Sequence, residues 1–401
     1  MSAHAFSTTP AGAACPFMPV FGAPQVMFAR GSGTELWDVD GKRYLDFLCG
    51  LAVTSLGHSN PVITEAISTQ AGKLLHVSNF FSNDAAARAA VELRALLTEC
   101  TGAEGQLFFC NSGAEANEAA LKLARKFGGR GRHVVVSAFG SFHGRTLAAL
   151  AATGQPAKHE PFAPMPEGFR HVAYGDLEAL RATFDPTVAA VIIETVQGEG
   201  GVVPADPDYL RGIRALCDER GALMIIDEVQ TGFARTGRWF GFQHAGVVPD
   251  VVTMAKAMGN GFPVGAVWAR TEVAAAFQPG DHGSTYSGTA IATAVVSAVL
   301  AEMRRIDAPA LAEAKGATLR AALEALPGVE SVRGQGLLLA AELGEGADAK
   351  AVYTELLARG LVTNAVTATA LRLAPPITVS DDEIAEAVAL IGDVLSRQVV
   401  A

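Results

Sequence analysis

The chain has 401 residues, 50% of them hydrophobic and 18% charged, and 31 Lys and Arg against 41 Asp and Glu leave a formal charge of −10. That length sets a prior of roughly two to three domains with a large core. The acidic balance excludes a nucleic-acid or anionic-membrane surface as the main function, so an anionic ligand must be held by a few local cations and backbone N–H groups.

Residues before about 60 contain TELWDVDGKRYLDF, which reads as a hairpin turning at Asp40–Gly41 and packing with the C-terminal part. From 105 to 270, short apolar runs at 105–110, 133–139, 188–194, 222–227, 250–255 and 264–269 alternate with helical patterns at 113–127, 176–183 and 206–220. Runs this continuously apolar belong to strands covered on both faces. The expectation is an α/β fold in which helices sandwich a mostly parallel sheet. In the helix 113–127, Ala116, Ala119, Ala120, Leu123, Ala124 and Phe127 follow the spacing of one buried face. After about 306 the pattern becomes a small α+β domain: a helix at 310–326, a strand at 331–343, a helix at 347–359, strands near 361–366 and 371–375, and a last helix at 380–398. The domains are therefore set at 1–60, 61–305 and 306–401.

Cys15, Cys49, Cys100, Cys110 and Cys217 follow no metal-ligand spacing, so they read as buried small hydrophobes of a reduced cytoplasmic protein with no metal site. The longest apolar stretch, Ala290 to Ala301, carries Thr and Ser and stops at Glu302, short of the about 18 residues a membrane helix needs. No export signal is expected, because no cationic stretch precedes an apolar one at the N-terminus.

Three features carry chemistry. Lys256 lies between an apolar strand and the glycine loop AMGNGFPVGA, where partial desolvation lowers an amine's pKa and suits it to Schiff-base formation. Asp227 ends an apolar strand, at the edge where open α/β sheets bind ligands, and an acid there needs a cationic partner such as a protonated pyridine nitrogen. Ser112, Gly113 and Ala114 join a strand to a helix, and the N–H groups of such a helix start form an anion site. No Walker or dinucleotide glycine pattern is present, which leaves nucleotide binding unsupported. Phosphate cradle, acid and lysine occur in the order of a pyridoxal-phosphate enzyme.

The blocks LWDVDGKRYLDF, NSGAEANEAALKLARK, SFHGRTLAALAATGQP, VQGEGGV, IIDEVQTGFARTG, PDVVTMAKAMGNGFPVGA, HGSTYSG and LRLAPP, in this order, resemble the class III aminotransferases of fold type I, on their ornithine/acetylornithine branch. The resemblance implies pyridoxal 5′-phosphate as cofactor and assigns roles. Lys256 would hold the cofactor and shuttle the proton, and Asp227 would keep the pyridine nitrogen protonated. Gln230 would meet the ring oxygen, Val229 and Phe142 would cover the two ring faces, and Ser112, Gly113 and Ala114 would bind the phosphate. Thr285 resembles a phosphate ligand supplied by the other subunit, which implies a homodimer with a shared site. Ser284 would touch substrate, Arg145 would clamp a carboxylate, and Glu199 would pair with Arg372 whenever no second carboxylate is bound.

The implied reaction moves the δ-amino group of an acylated ornithine, N2-acetylornithine foremost, to 2-oxoglutarate. It would yield N-acetylglutamate 5-semialdehyde and glutamate, in arginine biosynthesis. Succinylornithine, N-succinyldiaminopimelate, 4-aminobutyrate and ornithine are the alternative donors. An aminomutase of the glutamate-semialdehyde type is a further alternative, and a binding protein that lost the chemistry is another. Leu51 stands where the ornithine δ-aminotransferases carry a Tyr that helps recognise a free α-amino acid, which favours an acylated donor. Three positions depart from the family pattern: GNG at 259–261, YSGTAIA at 286–292, and Thr195 after Glu194.

Overall fold

The computed structural model describes residues 17–22, 24–344 and 346–398. Its central sheet has seven strands in the order Gly105–Cys110, Gly265–Arg270, Val251–Met254, Leu223–Asp227, Val188–Glu194, Val134–Ala138 and Phe169–Val172. Gly265–Arg270 runs antiparallel to both neighbours, and the remaining pairings are parallel. The fold is that of the expected helix-covered, mostly parallel sheet. The edge strand Phe169–Val172 adds to the six expected from sequence; its half-buried FRHV carries too little apolar signal to stand out.

Strand alternation divides the side chains between two apolar layers. Ala190, Ile192, Leu223, Ile225 and Val251 pack with Ala116, Ala119, Ala120 and Leu123 of the helix Gly113–Gly128. On the opposite face Val191, Ile193, Met224, Ile226 and Val252 meet Leu93, Leu96 and Leu97 of Asp84–Thr101, Ile213 and Leu216 of Pro207–Arg220, and Val295 and Val299 of Ala290–Arg305. Asp227 and Glu194 share parity with Ile225 and Ile192, so both acids point toward the layer of the helix Gly113–Gly128. Phe127 does not join the buried stripe; it is 41% exposed, at the end of that helix.

The run 331–343 is not one strand. It folds as an antiparallel pair, Val329–Gln335 and Leu338–Leu343, in register at Gln335↔Leu338. The reversal is at Gly336, where φ is +52° and a Cβ would lie 2.5 Å from the backbone carbon of Thr236. Only glycine fits that approach, which is set by a segment distant in the chain. Ala370–Leu373 and Asn364–Ala365 complete this second sheet. Near the N-terminus, Glu35–Asp38 and Arg43–Asp46 form the hairpin, with Asp38 Oδ1 accepting from the N–H groups of Asp40 and Lys42. Arg43–Asp46 pairs in parallel with Leu361–Val362, which ties this segment to the C-terminal part.

Cys49, Cys110 and Cys217 are buried, whereas Cys100 is only partly so; Cys15 and the rest of 1–16 lie outside the described residues. Among the described residues no helix is long and apolar enough to cross a membrane.

Gly265 pairs with Cys110, and a Cβ there would sit 2.6 Å from the Ser112 carbonyl oxygen, which accepts the Ala116 N–H that starts the helix Gly113–Gly128. Gly265→Ala is expected to cost about 1–3 kcal/mol through this overpacking, read from the denaturant midpoint. An unchanged midpoint would show that the turn yields freely.

Candidate active site

A cavity of about 400 Å³ opens at the C-terminal ends of the parallel strands Val134–Ala138, Val188–Glu194, Leu223–Asp227 and Val251–Met254. Ser112, Gly113, Ala114, Phe142, Arg145, Glu199, Asp227, Val229, Gln230 and Lys256 all line it. Lys256 opens a single turn, Lys256–Gly259, with φ +48°, a costly backbone state for a side chain of this size. Burial, with Arg372 nearby, draws its amine below the usual lysine range, against the pull of Glu199, Asp227 and Glu194.

Asp227 Oδ2 accepts from Asn117 Nδ2 and from His143 Nδ1, each at 2.8 Å, and Oδ1 accepts from the Val229 N–H at 3.0 Å. A carboxylate has roughly four lone-pair sites, so one more donor can be seated. Burial alone would lower the His143 pKa, but the contact with Asp227 raises it above the ordinary histidine value. Asn117 also donates to the His143 carbonyl at 2.7 Å, which fixes the two partners of Asp227 against each other.

Ser112 caps the helix Gly113–Gly128, its Oγ accepting from the Glu115 N–H at 3.2 Å. The first N–H groups of that helix, at Gly113 and Ala114, have no intrahelical acceptor and face the cavity. Gln230 Oε1 is buried with no partner among the described residues. Arg372 is buried; its Nη1 donates to Glu199 Oε1 at 2.6 Å and to the Gly198 carbonyl, its Nε donates to Asn364 Oδ1, and its Nη2 has no partner among the described residues. Burial pushes the Glu199 carboxyl up, but Arg372 outweighs it and holds the group below the usual range, ionised. Ser284 and Thr285 do not line the cavity of this chain. Ser284 Oγ accepts from Asn111 Nδ2 at 3.2 Å, and Thr285 is exposed. Leu51 is not on the wall either; Val53 is the residue of that segment that reaches it.

Sequence reasoning missed four residues here. Asn117 is one helical turn beyond Gly113, a polar residue on the face that meets the cavity, and that spacing is visible in the sequence. Glu194 stands directly opposite Asp227 in the parallel register, and both strands end in an acid. Burial raises the Glu194 carboxyl to about 7, while its Oε2 accepts the Phe142 N–H at 3.1 Å. His143 had only its place in SFHGR to mark it. Asn260, one of the departures, has φ +44°, a state asparagine tolerates. Its Oδ1 accepts the Leu56 N–H at 2.7 Å and its Nδ2 donates to the Gly57 carbonyl at 3.2 Å, so the lysine loop is bolted to the segment 56–57. Thr195, another departure, is buried against Gly241, where a Cβ would lie 2.1 Å from the threonine hydroxyl.

The family description "Aminotransferase class-III" matches residues 20–395. The chain belongs to the class III aminotransferases. It is 46% identical over 383 residues to an acetylornithine aminotransferase from Corynebacterium efficiens, covering 94% of each protein. It is 43% identical over 389 residues to another from Caldanaerobacter subterraneus subsp. tengcongensis, covering 95% of this chain and 97% of that one. An ornithine aminotransferase structure from Toxoplasma gondii, with partial occupancy of PLP at its active site, superposes with a TM-score of 0.88 at 32% identity, covering 95% and 92% of the two chains. This aminotransferase uses pyridoxal phosphate, and its residues fit that group. The cavity offers a partly buried amine, an acid with room for one donor, a Gln230 oxygen without a partner among the described residues, and N–H groups at a helix start.

Glu194 binds its proton more tightly folded, near 7, than its ordinary 4.5. Its contribution to stability is therefore full below about 4.5 and lost as pH rises through about 7. Glu194→Gln, neutral throughout, is expected to flatten the decline of the denaturant midpoint between pH 5 and 8. A slope equal to that of the parent protein would refute the assignment.

Proposed function

We propose that this aminotransferase moves the δ-amino group of N2-acetylornithine to 2-oxoglutarate, giving N-acetylglutamate 5-semialdehyde and glutamate, a step of arginine biosynthesis in the cytoplasm. The observation that carries the reading is the Arg372–Glu199 pair beside the exposed Arg145. An acylated ornithine offers one carboxylate, whereas 2-oxoglutarate offers two, so one site must present a second cation only on demand. With Glu199 on Arg372, the Arg145 side of the site serves the single carboxylate of the donor. With Glu199 turned away, Arg372 presents a planar fork to the second carboxylate of 2-oxoglutarate. The acetylornithine aminotransferases to which the chain is similar support this choice of donor.

When bound, pyridoxal phosphate supplies the electron sink for the carbanion at the substrate Cα or Cδ. Lys256 Nζ would hold it covalently and, once displaced by the substrate amine, would take the proton from that carbon and return it. Asp227, oriented by His143 and Asn117, would hold a proton on the pyridine nitrogen. Gln230 would bond the ring oxygen, Val229 and Phe142 would confine the ring, and Ser112, Gly113 and Ala114 would hold the phosphate. Residues 61–305 would form the cofactor-binding domain, with 1–60 packed on a small domain at 306–401.

A homodimer belongs to this reading. Phe80 and Phe81 are exposed large apolar side chains beside the segment of Ser284 and Thr285, linked to it by Asn79 Nδ2 on the Ser284 carbonyl. A second copy packed there would cover them and bring its own Thr285 to the phosphate.

Mixing the holoenzyme with N2-acetylornithine should remove the visible absorbance of the cofactor, and 2-oxoglutarate should restore it. Lys256→Ala should lower turnover by at least about 10⁴-fold. A response only to 4-aminobutyrate, ornithine or a succinylated donor would keep the chemistry and overturn the substrate. Glu199→Gln should slow the acetylornithine half-reaction about tenfold, the size of one charge-assisted hydrogen bond, and spare that of glutamate. Equal losses in both would remove the switch.

A further inference from the structure

Beside Phe142 of the cavity wall lies a cation that none of the assigned roles uses. Lys158 ends the short turn Pro156–Lys158, partly buried, and its Nζ lies 5.5 Å from the Phe142 ring centroid. The Arg145 guanidinium carbon lies 5.6 Å from the same centroid. The two cations thus share one aromatic ring of the cavity wall. Neither forms an ion pair among the described residues. The Lys158 ammonium donates instead to Gln155 Oε1, a neutral oxygen.

Its position is built. The Gln155 side chain is fixed by its own Nε2 on the Ser141 carbonyl at 2.9 Å. The turn is closed by the His159 N–H on the Pro156 carbonyl at 2.8 Å, and the His159 ring is held on the Thr153 carbonyl at 2.7 Å. Burial and the like charge of Arg145 pull the Lys158 amine below the usual lysine range, while Glu199 pulls the other way. Lys158 therefore feels both groups that would sort substrate carboxylates, although its side chain is not itself part of the cavity wall.

Two like charges near one ring repel each other, and an anion within reach of both relieves both. Arg145 offers a planar fork and Lys158 a point charge with rotatable donors, so together they can grip a carboxylate from two directions. We propose that Lys158 is a substrate-binding residue that, with Arg145, forms a two-cation site for the carboxylate remote from the reacting amine. That acid is the α-carboxylate of a δ-amino donor and the distal carboxylate of glutamate or 2-oxoglutarate. The inference deepens the functional reading above and rests on it. It makes this chain select amines that carry an acid at the far end over plain amines. The competing role for Lys158 is a structural cation–π contact that stiffens Phe142.

The test uses the holoenzyme, Lys158→Gln and Lys158→Arg. Glutarate, a dicarboxylate with no amine or ketone to react, is titrated calorimetrically. KM values are measured for N2-acetylornithine and for butylamine, which has no carboxylate. Lys158→Gln should weaken glutarate about tenfold and raise the ratio of the two KM values by a similar factor, as loss of one charge-assisted contact would. Lys158→Arg should recover most of both. Unchanged glutarate affinity, or a KM ratio that stays fixed while both substrates suffer, would overturn the proposal and leave the structural role. If the parent enzyme ignores N2-acetylornithine altogether, the donor assignment fails, and the glutarate titration still decides Lys158.

Discussion

Two carboxyl groups and an amine are withdrawn from water at one sheet edge, and much of the surrounding structure answers that constraint. Asp227 and Glu194 face each other across adjacent strands, and two buried anions side by side would be prohibitively costly. The fold treats them differently. Asp227 receives three donors, while Glu194, with one backbone donor, holds its proton up to about 7. The opposed environments set the two acids apart, with the donor-rich Asp227 the one proposed to meet a pyridine nitrogen. Lys256 completes the set from the next strand. Burial draws its amine below the usual lysine range, and it lies within the field of both acids and of the Arg372–Glu199 pair.

The backbone around the cavity is correspondingly unrelaxed. Lys256 and Asn260 occupy the left-handed region, as do Cys49, Leu51 and Ala52 in the kinked turn before Val53. Strained conformations persist only where neighbours over-determine them. Here the neighbour is explicit: the Asn260 amide spans the lysine loop and residues 56–57, so two strained segments brace each other across the wall they share. The departure from a triple-glycine pattern thus replaces backbone freedom by a side-chain bolt.

What the sequence disclosed follows the same physics. Strands buried on both faces are nearly continuous apolar runs, so six of the seven could be placed within a residue or two, and the candidate site residues attached to their ends came with them. Asp227, Lys256 and Ser112 were legible because each marks the end of an element. His143, Asn117 and Glu194 were not, because their importance lies in contacts between segments distant in the chain, the farthest joining Asn117 to Asp227. The hairpin at Gly336 escaped for a related reason. The approach of the Thr236 backbone to Gly336 is a contact between distant segments that the sequence does not display. Leu51 shows the limit of matching by position, since the wall is reached by Val53 two residues on.

The pairing of Asp227 with Glu194 has a consequence for how the chain reaches its native state. In a sheet covered on both sides, strands of valine and isoleucine could slide past one another with little change in buried apolar area. The acids at their ends remove that degeneracy. A slip of one residue would set Asp227 against Ile193 and turn one acid away from His143 and Asn117 into the opposite apolar layer. Wrong alignments would leave a charge stranded in oil, whereas the right one surrounds it with donors. The groups proposed to serve chemistry in the finished enzyme thereby act as proofreaders of strand alignment while it folds.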